Sequence, residues 1–525
     1  MKLDCFKISI KFDIIAILVI VIAGLKLTFG LDGGEDIGLY DESDYLYSGV
    51  TFLTAGPPQP SWAPLYAIWY FILSFFEPNR TQLYYLNYKL MVILLPVFTY
   101  VFLRVKNLSI TLSLAIAAWV LLLPINAKSI QKVSHFSILI IFINFIVLNF
   151  VKDRVWFLTI NALFALLVAF VRPEYFLAFV LFSVVLFAVA IAQWKAQGEF
   201  PLKPLLTYAL PSIFLLAWFG LPISGDRSLM AFGQHFSIHW VMWNNSDFNP
   251  WTNWEWILSQ NFGNVHSVGE VIISNSSLFF KHILANLGDL RLAPGFLKPR
   301  IIDSSLLSEA AFLFSIFIAC LIPLGNLKKN ILLHKKLLLA SAIFLLTSLV
   351  SIFLIYPREH YILGFFVPFL ALIAICFGSP SAEQSPKIRA RNILFLCSLL
   401  LILTPLPYFK KSNPSLQNLN VIAFLQSINL QESVRLLEAE GGYNIYLGSN
   451  FKRIPEYSKQ VDFDRFLQME KINGIILSEA LKRDRRFKTD REWLDFLNNY
   501  QTAGFVKMDI PNTEKQLLLK ADLLN

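Results

Sequence analysis

Polarity along the chain falls into two regimes. Between residues 12 and 408, apolar runs of 16 to 21 residues recur between short polar breaks. After residue 409 the apolar runs shorten and alternate with charged segments. A helix rises about 1.5 Å per residue, so roughly 20 apolar residues cross a hydrocarbon core of about 30 Å. On that measure the pattern predicts eleven membrane spans, near 12–30, 83–103, 109–125, 136–151, 155–171, 175–193, 205–222, 306–325, 337–356, 361–378 and 392–408. The first apolar run, Ile14 to Phe29, is long and lacks a small-residue cleavage site, so it is expected to stay in place as a helix.

Three other stretches complete the outline. Residues 61–76, SWAPLYAIWYFILSFF, are short for a span, and their Trp62, Tyr66, Trp69 and Tyr70 suit the headgroup layer. They are expected to form an interfacial helix. Residues 223–305 form a long Trp-rich loop suited to amphipathic helices on a bilayer surface. In the polar tail, strand-like runs at 443–448, 472–478 and 515–521 alternate with helix-like runs at 463–471 and 492–500. The expected fold is therefore mostly α: a polytopic membrane domain over 1–408, with outer loops 31–82 and 223–305 contributing the site, and a small C-terminal α/β domain over 409–525.

Composition agrees. Of 525 residues, 56% are hydrophobic, only 15% are charged and 48 are Phe, which excludes an ordinary soluble protein. The net charge of +9 would suggest nucleic acid in a soluble chain. Here it follows topology, and no nucleic-acid partner is expected. Alternating sides at each span gathers Arg104, Lys106, Lys152, Arg154, Lys195, Lys203, Lys328, Lys329, Lys335, Lys336, Lys387, Arg389 and Arg391 on one side, with Lys2, Lys7 and Lys11. The positive-inside rule makes that side cytoplasmic and places the C-terminal domain outside the cytoplasm. A bacterial inner membrane is the expected location. Cys5, Cys320, Cys376 and Cys397 lack metal-ligand spacing and read as small buried hydrophobes.

The same topology sorts unusual polar residues onto the opposite face. Asp41, Glu42 and Asp44 lie in the first outer loop; Lys128, Lys132 and His135 in the second; Arg172 and Glu174 in the third. Asp226, Arg227, His235 and His239 follow in the long loop, and Arg358, Glu359, His360 and Tyr361 in the next. Each has a plain structural explanation, such as an Arg-Pro-Glu hairpin turn at 172–174. Together, cations kept in outer loops imply an anionic partner, and phosphate suits the bidentate fork of Arg and the point charge of Lys. A carboxylate beside such cations can take a proton from an acceptor hydroxyl or amine while that group displaces a phosphate from a sugar carbon.

One apolar helix followed by Asp41-Glu42-Ser43-Asp44-Tyr45 resembles the type C glycosyltransferase fold. More closely, it is similar to the polyprenyl-phosphate-sugar-dependent group that includes protein O-mannosyltransferases and the lipid A aminoarabinose transferase. Pro64 in the interfacial segment, the hairpin at 172–174, the Arg358-x-x-Tyr361 motif and the C-terminal domain fit the same pattern. The resemblance implies a hexosyl or pentosyl transferase that uses a polyprenyl-phosphate sugar donor and a lipid, glycan or protein acceptor. It implies Asp41 as general base, Glu42 as its orienting partner or a metal ligand, and Arg172, Arg358 and Lys128 as donor-phosphate ligands. Glu174, His235, His360 and Tyr361 are further site candidates. Some members of the group use a divalent metal and others do not, and no ligand set in this sequence decides between them. Asp44 has no place in the family pattern; it either shares or displaces the role of Asp41. Three other functions compete: a polysaccharide polymerase or ligase, a lipid-linked-sugar transporter, and a non-catalytic envelope scaffold. The lack of an internal repeat disfavours the transporter.

Overall fold

The computed structural model describes residues 2–127, 131–292, 327–378, 386–404, 416–430, 432–448 and 450–524. They are mostly helical. Among them, seven helices are long and apolar enough to cross a membrane: Ile10–Gly34, Arg80–Val105, Val133–Phe150, Pro173–Gln197, Leu202–Phe219, Leu327–Leu354 and Glu359–Phe377. The architecture is that of a polytopic membrane protein with a small C-terminal sheet.

The count differs from the eleven expected spans. Three of the expected spans are shorter helices, Ile110–Leu122, Arg154–Ala169 and Ala390–Ile402. At about 1.5 Å per residue the first of these reaches only about 20 Å. Pro124 restricts the residue before it and stops that helix, whereas Pro173 opens the short helical turn Pro173–Tyr175 after the helix that ends at Ala169. The expected span 306–325 lies outside the described residues, as does Cys320. Cys376 and Cys397 are free thiols, the second of them buried.

Helix Arg80–Val105 packs against the N-terminal helix, Ile110–Leu122 and Val133–Val147, while Arg154–Ala169 packs against Phe176–Gln197 and Leu202–Phe219. Basic residues meet at one end of this bundle. Arg104 pairs with Asp13 at 2.6 Å, Lys106 donates to Asn149 and Lys336 donates to the Lys152 carbonyl. The acidic segment lies at the other end, where Asn87 of the Arg80–Val105 helix reaches Glu42.

The 61–76 segment forms helix Pro64–Ser74, but its tyrosines turn inward rather than toward headgroups. Tyr66 and Tyr70 are fully buried because their hydroxyls bond a buried carboxylate. Within its described residues the long loop forms four α-helices, Arg227–Trp243, Trp254–Phe262, Val268–Ser274 and Ser276–Asp289, around a core of Phe232, Phe236, Ile257 and Phe279.

The C-terminal sheet has strands β1 Val434–Glu438, β2 Phe451–Pro455, β3 Gly474–Leu477, β4 Phe505–Asp509 and β5 Gln516–Lys520. Their order is β2-β1-β3-β5-β4, with β2, β1 and β3 parallel and β5 antiparallel to both β3 and β4. Two of the three expected strands and both expected helices are present. The third expected strand, 443–448, is instead helix Tyr443–Leu447. Its buried Tyr443 and Tyr446 are three apart, a spacing that also fits a helical face.

Candidate functional site

The acidic segment is a helix, Asp41–Val50, with three carboxylates in its first turn. Negative charge there complements the unpaired N–H groups and positive end of the helix dipole. Tyr40, just before it, has φ 66° and ψ −131°, an outlying conformation for a bulky residue. Its N–H donates to the Gly441 carbonyl at 3.2 Å, so the C-terminal domain holds the strained entry to the helix. At the other end Gly49 is pressed against Pro64–Ser74. A Cβ there would lie 2.5 Å from the Tyr70 Cβ.

Successive helical residues point about 100° apart, so Asp41, Glu42 and Asp44 fan into three environments. Glu42 is buried at 3% exposure and tied into the packing. Its Oε1 accepts from Tyr66 at 2.8 Å, Tyr70 at 2.5 Å and Asn87 at 3.1 Å, and its Oε2 accepts from the Lys132 N–H at 2.9 Å. Burial pushes its pKa up, against these hydrogen bonds. Asp44 sits on the flank that meets the C-terminal domain. Burial and the negative charge of Asp41 push its pKa up to about 6, against the pull of Arg453.

Asp41 alone of the three lines a cavity of about 40 Å³, room for a few water-sized groups. Its carboxylate keeps 33% exposure and meets Arg227 as a two-point fork, Nη2–Oδ2 at 2.6 Å and Nη1–Oδ1 at 3.3 Å. Burial works to raise its pKa, but Arg227, then Arg358 and Arg172, outweigh burial and hold it below the usual carboxylate range. Arg227 also donates to the Tyr45 hydroxyl at 3.2 Å and lies 3.8 Å over the Trp62 ring.

Two more arginines line the cavity. Arg172 is fixed by Glu174 at 2.7 Å, by the Ser134 hydroxyl at 3.2 Å and over the Tyr361 ring at 4.4 Å. Arg358 stands 5.2 Å over Trp251 and, among the described residues, makes no ion pair. His235 lines the cavity too. Its Nδ1 bonds the Ala231 carbonyl at 2.6 Å, and its buried Nε2 has no hydrogen-bond partner among the described residues. Burial, reinforced by Arg358, lowers its pKa to about 3, so the ring is neutral and Nε2 is an open acceptor.

Of the site residues proposed from sequence, Asp41, Arg172, Arg358, His235, His360 and Tyr361 share this cavity. Glu174 stands behind Arg172 as its counter-ion. Glu42 and Asp44 are not among the lining residues. The carboxylate of Glu42 is filled by four donors, and the helical turn carries Asp44 to the domain junction. Lys128 lies outside the described residues. Lys132 is buried, bonded to the Asn126 carbonyl and 4.0 Å over Tyr88. Among the described residues no group of three or more His, Cys, Asp or Glu is placed to hold a metal ion.

Arg227, grouped from sequence with the outer-loop charges, is not among the expected site residues. A signal for it exists: Arg227, Met230, Ala231, Gln234 and His235 all line the cavity. They are spaced i, i+3, i+4, i+7 and i+8, one stripe of helix Arg227–Trp243.

The C-terminal domain touches both walls. On the Asp41 side, buried Glu438 at the end of β1 accepts from the N–H groups of Gly441 and Gly442 and pairs with Arg453 at 2.9 Å. Ser43 bonds the Tyr446 hydroxyl at 2.9 Å. On the long-loop side, Arg483 donates to the Asp247 carbonyl, Arg486 to the Thr252 carbonyl, and the Arg485 N–H to Asn253. No family model matches this chain, and no curated protein is significantly similar to it.

Proposed function

We propose that this protein is a membrane glycosyltransferase. It moves a sugar from a polyprenyl-phosphate donor to an acceptor hydroxyl or amine at the outer face of the membrane, with inversion at the anomeric carbon. The observation that carries this reading is one cavity in which Asp41 meets Arg172, Arg227 and Arg358, three cations from separate segments, one of them without an ion-pair partner among the described residues. The excess positive charge fits a phosphate, and Asp41 is the one acidic residue among those lining the cavity. A phosphate leaves as an anion that the arginines can stabilise and needs no general acid, so a single displacement at the sugar carbon needs only one carboxylate, as base. The site sits at one end of an apolar bundle, where a lipid-borne phosphate would present itself. The resemblance of the first loop to type C glycosyltransferases supports the same reaction, and with it the eleven-span topology and a cytoplasmic N-terminus.

In this mechanism Asp41 takes the proton of the acceptor as it attacks, and the arginines stabilise charge on the departing phosphate. Neutral His235 accepts a hydrogen bond from a sugar or acceptor hydroxyl. The test uses membranes containing the protein and a panel of short-chain polyprenyl phosphates bearing labelled hexoses or pentoses. Label moves to an acceptor in the wild type and is lost in Asp41→Asn, while Arg358→Ala raises the donor requirement more than the acceptor requirement. Wild-type transfer by Asp41→Asn refutes the base assignment. Absence of transfer with every donor on the panel refutes the activity.

A further inference from the structure

The Asp41–Arg227 ion pair poses a problem for the reaction proposed above. A carboxylate clamped by a guanidinium fork is a poor proton acceptor, because the cation favours its ionised form. The groups around Asp41 make this general. From its own helix come Tyr45 and Asp44, from helix Arg227–Trp243 come Arg227 and His235, from the flanking turns come Arg172 and Arg358, and from the first turn of helix Glu359–Phe377 come His360 and Tyr361. Of the three cations, Arg172 is already anchored to Glu174 and Ser134, and Arg358 makes no ion pair among the described residues. Arg227 alone has its charge on the base.

We infer that Arg227 changes partner during the reaction, passing from Asp41 to the departing phosphate as Asp41 takes the proton. This rests on the phosphate-donor reading. As the acceptor attacks, its lone pair forms the bond to the anomeric carbon and its proton moves to Asp41. The anomeric C–O bond breaks, and its electron pair stays on the phosphate oxygen. The phosphate goes from a diester with one negative charge to a monoester that gains a second. Asp41 becomes neutral in the same step and releases Arg227 as the phosphate begins to attract it. The new contact strengthens only as the barrier is crossed, which makes it catalytic rather than merely binding. Trp62 fits this exchange. Its ring face lies under the guanidinium at 3.8 Å, and the cation can slide across that face while keeping the contact.

The exchange can be read without knowing the sugar, by comparing two probes for purified full-length protein in detergent: a polyprenyl phosphate and its methyl ester. The first mimics the monoester product and the second the diester state. The wild type binds the monoester more tightly than the methyl ester. Asp41→Asn frees Arg227 from the start, and binds the monoester about tenfold more tightly than the wild type, with little change for the methyl ester. Arg227→Ala loses most of the monoester preference, and the gain from Asp41→Asn disappears in the double variant. Arg227→Lys, which keeps the charge but not the fork, retains part of the preference and guards against a folding artefact. If the gain from Asp41→Asn survives in the double variant, it is simple relief of repulsion and the exchange is refuted. Equal weakening of both probes by Arg227→Ala also refutes it, leaving Arg227 an ordinary phosphate ligand and the proposed activity intact. If the wild type binds neither probe, the phosphate reading itself falls.

Discussion

Glu42 was expected from sequence to orient the base or hold a metal, and its surroundings give it different work. Four donors from three other parts of the chain converge on its carboxylate: Tyr66, Tyr70, Asn87 and the Lys132 N–H. Replacing it by Ala strands Tyr66, Tyr70 and the Lys132 N–H in a buried place, while Asn87 keeps its bonds to the two tyrosine hydroxyls. A buried donor stranded in this way costs about 1–3 kcal/mol, so the total for the three is about 3 kcal/mol or more even at the low end. Glu42→Gln keeps one oxygen for the three donors on Oε1 and turns an N–H toward the Lys132 N–H. That mismatch concerns one donor and costs about 1–3 kcal/mol. Each 1.4 kcal/mol is about a tenfold change in rate if it is expressed in unfolding. The half-life of the folded protein in detergent at a fixed elevated temperature, followed by size-exclusion fluorescence, is therefore expected to fall in the order wild type, Glu42→Gln, Glu42→Ala, with the last shortened at least about tenfold. Hydrogen exchange at the Lys132 amide accelerates in both variants. If Glu42→Ala keeps the wild-type half-life but loses sugar transfer, the carboxylate is acting on substrate and the clamp is refuted.

Two further outcomes follow from the same helix. Asp44 has its pKa raised by burial and by Asp41, so its protonated form is favoured in the fold. Its contribution to stability is present at low pH and is lost as pH rises from about 4 toward 6. Asp44→Asn is thus expected to melt higher than the wild type above about pH 6 and at the same temperature below about pH 4, in melting curves measured across pH; a constant difference at all pH values contradicts this. Gly49→Ala places a methyl 2.5 Å from the Tyr70 Cβ. It is expected to destabilise by about 1–3 kcal/mol and to mimic Glu42→Gln in half-life, because moving Tyr70 weakens the same hydrogen bonds.

Much of the membrane architecture was legible because apolar length is a direct signal. Where helices are shorter than the expected spans, the chain carries local signals that a window average ignores: Pro124 ends the helix begun at Ile110, and Pro173 opens a separate short turn beyond the helix that ends at Ala169. In the tail, β1 went unseen because Val-Arg-Leu-Leu-Glu lacks strict alternation; its last three residues are all buried, on both faces of the sheet. The Tyr443–Leu447 segment was misread because five residues with two buried tyrosines satisfy either period. Convergence of Asp41, Arg172 and Arg358 was foreseeable from the common side to which the charge pattern assigns them. The different fates of Asp41, Glu42 and Asp44 were not, since they depend on which neighbour each 100° step meets. Arg227 was grouped with the outer-loop charges but not ranked with Arg172 and Arg358 for a related reason: its place in the cavity depends on a helical stripe inside a long loop, which charge alone does not reveal.

The position of the C-terminal domain now has a physical account. In open parallel sheets the carboxyl ends of the strands are where ligands gather. Here that edge carries Glu438, at the end of β1, and Glu456, directly after β2, and it is turned onto the helix that begins at Asp41. Glu438 shapes the Gly441–Gly442 turn, with φ of 71° and 110°, and the turn presents the Gly441 carbonyl to Tyr40. A backbone outlier such as Tyr40 costs about 1–3 kcal/mol and persists only when its surroundings over-determine it. The hydrogen bond to Gly441 and the packing of Tyr446 on Ser43 are those surroundings. The same domain, through residues 483–486, grips the loop at 247–253 that follows helix Arg227–Trp243. Asp41 and Arg227 are 186 residues apart in the chain and stand on different walls. Their 2.6 Å contact is braced from both sides by the C-terminal domain, which thus helps set the geometry at which Asp41 and the Arg227 guanidinium meet.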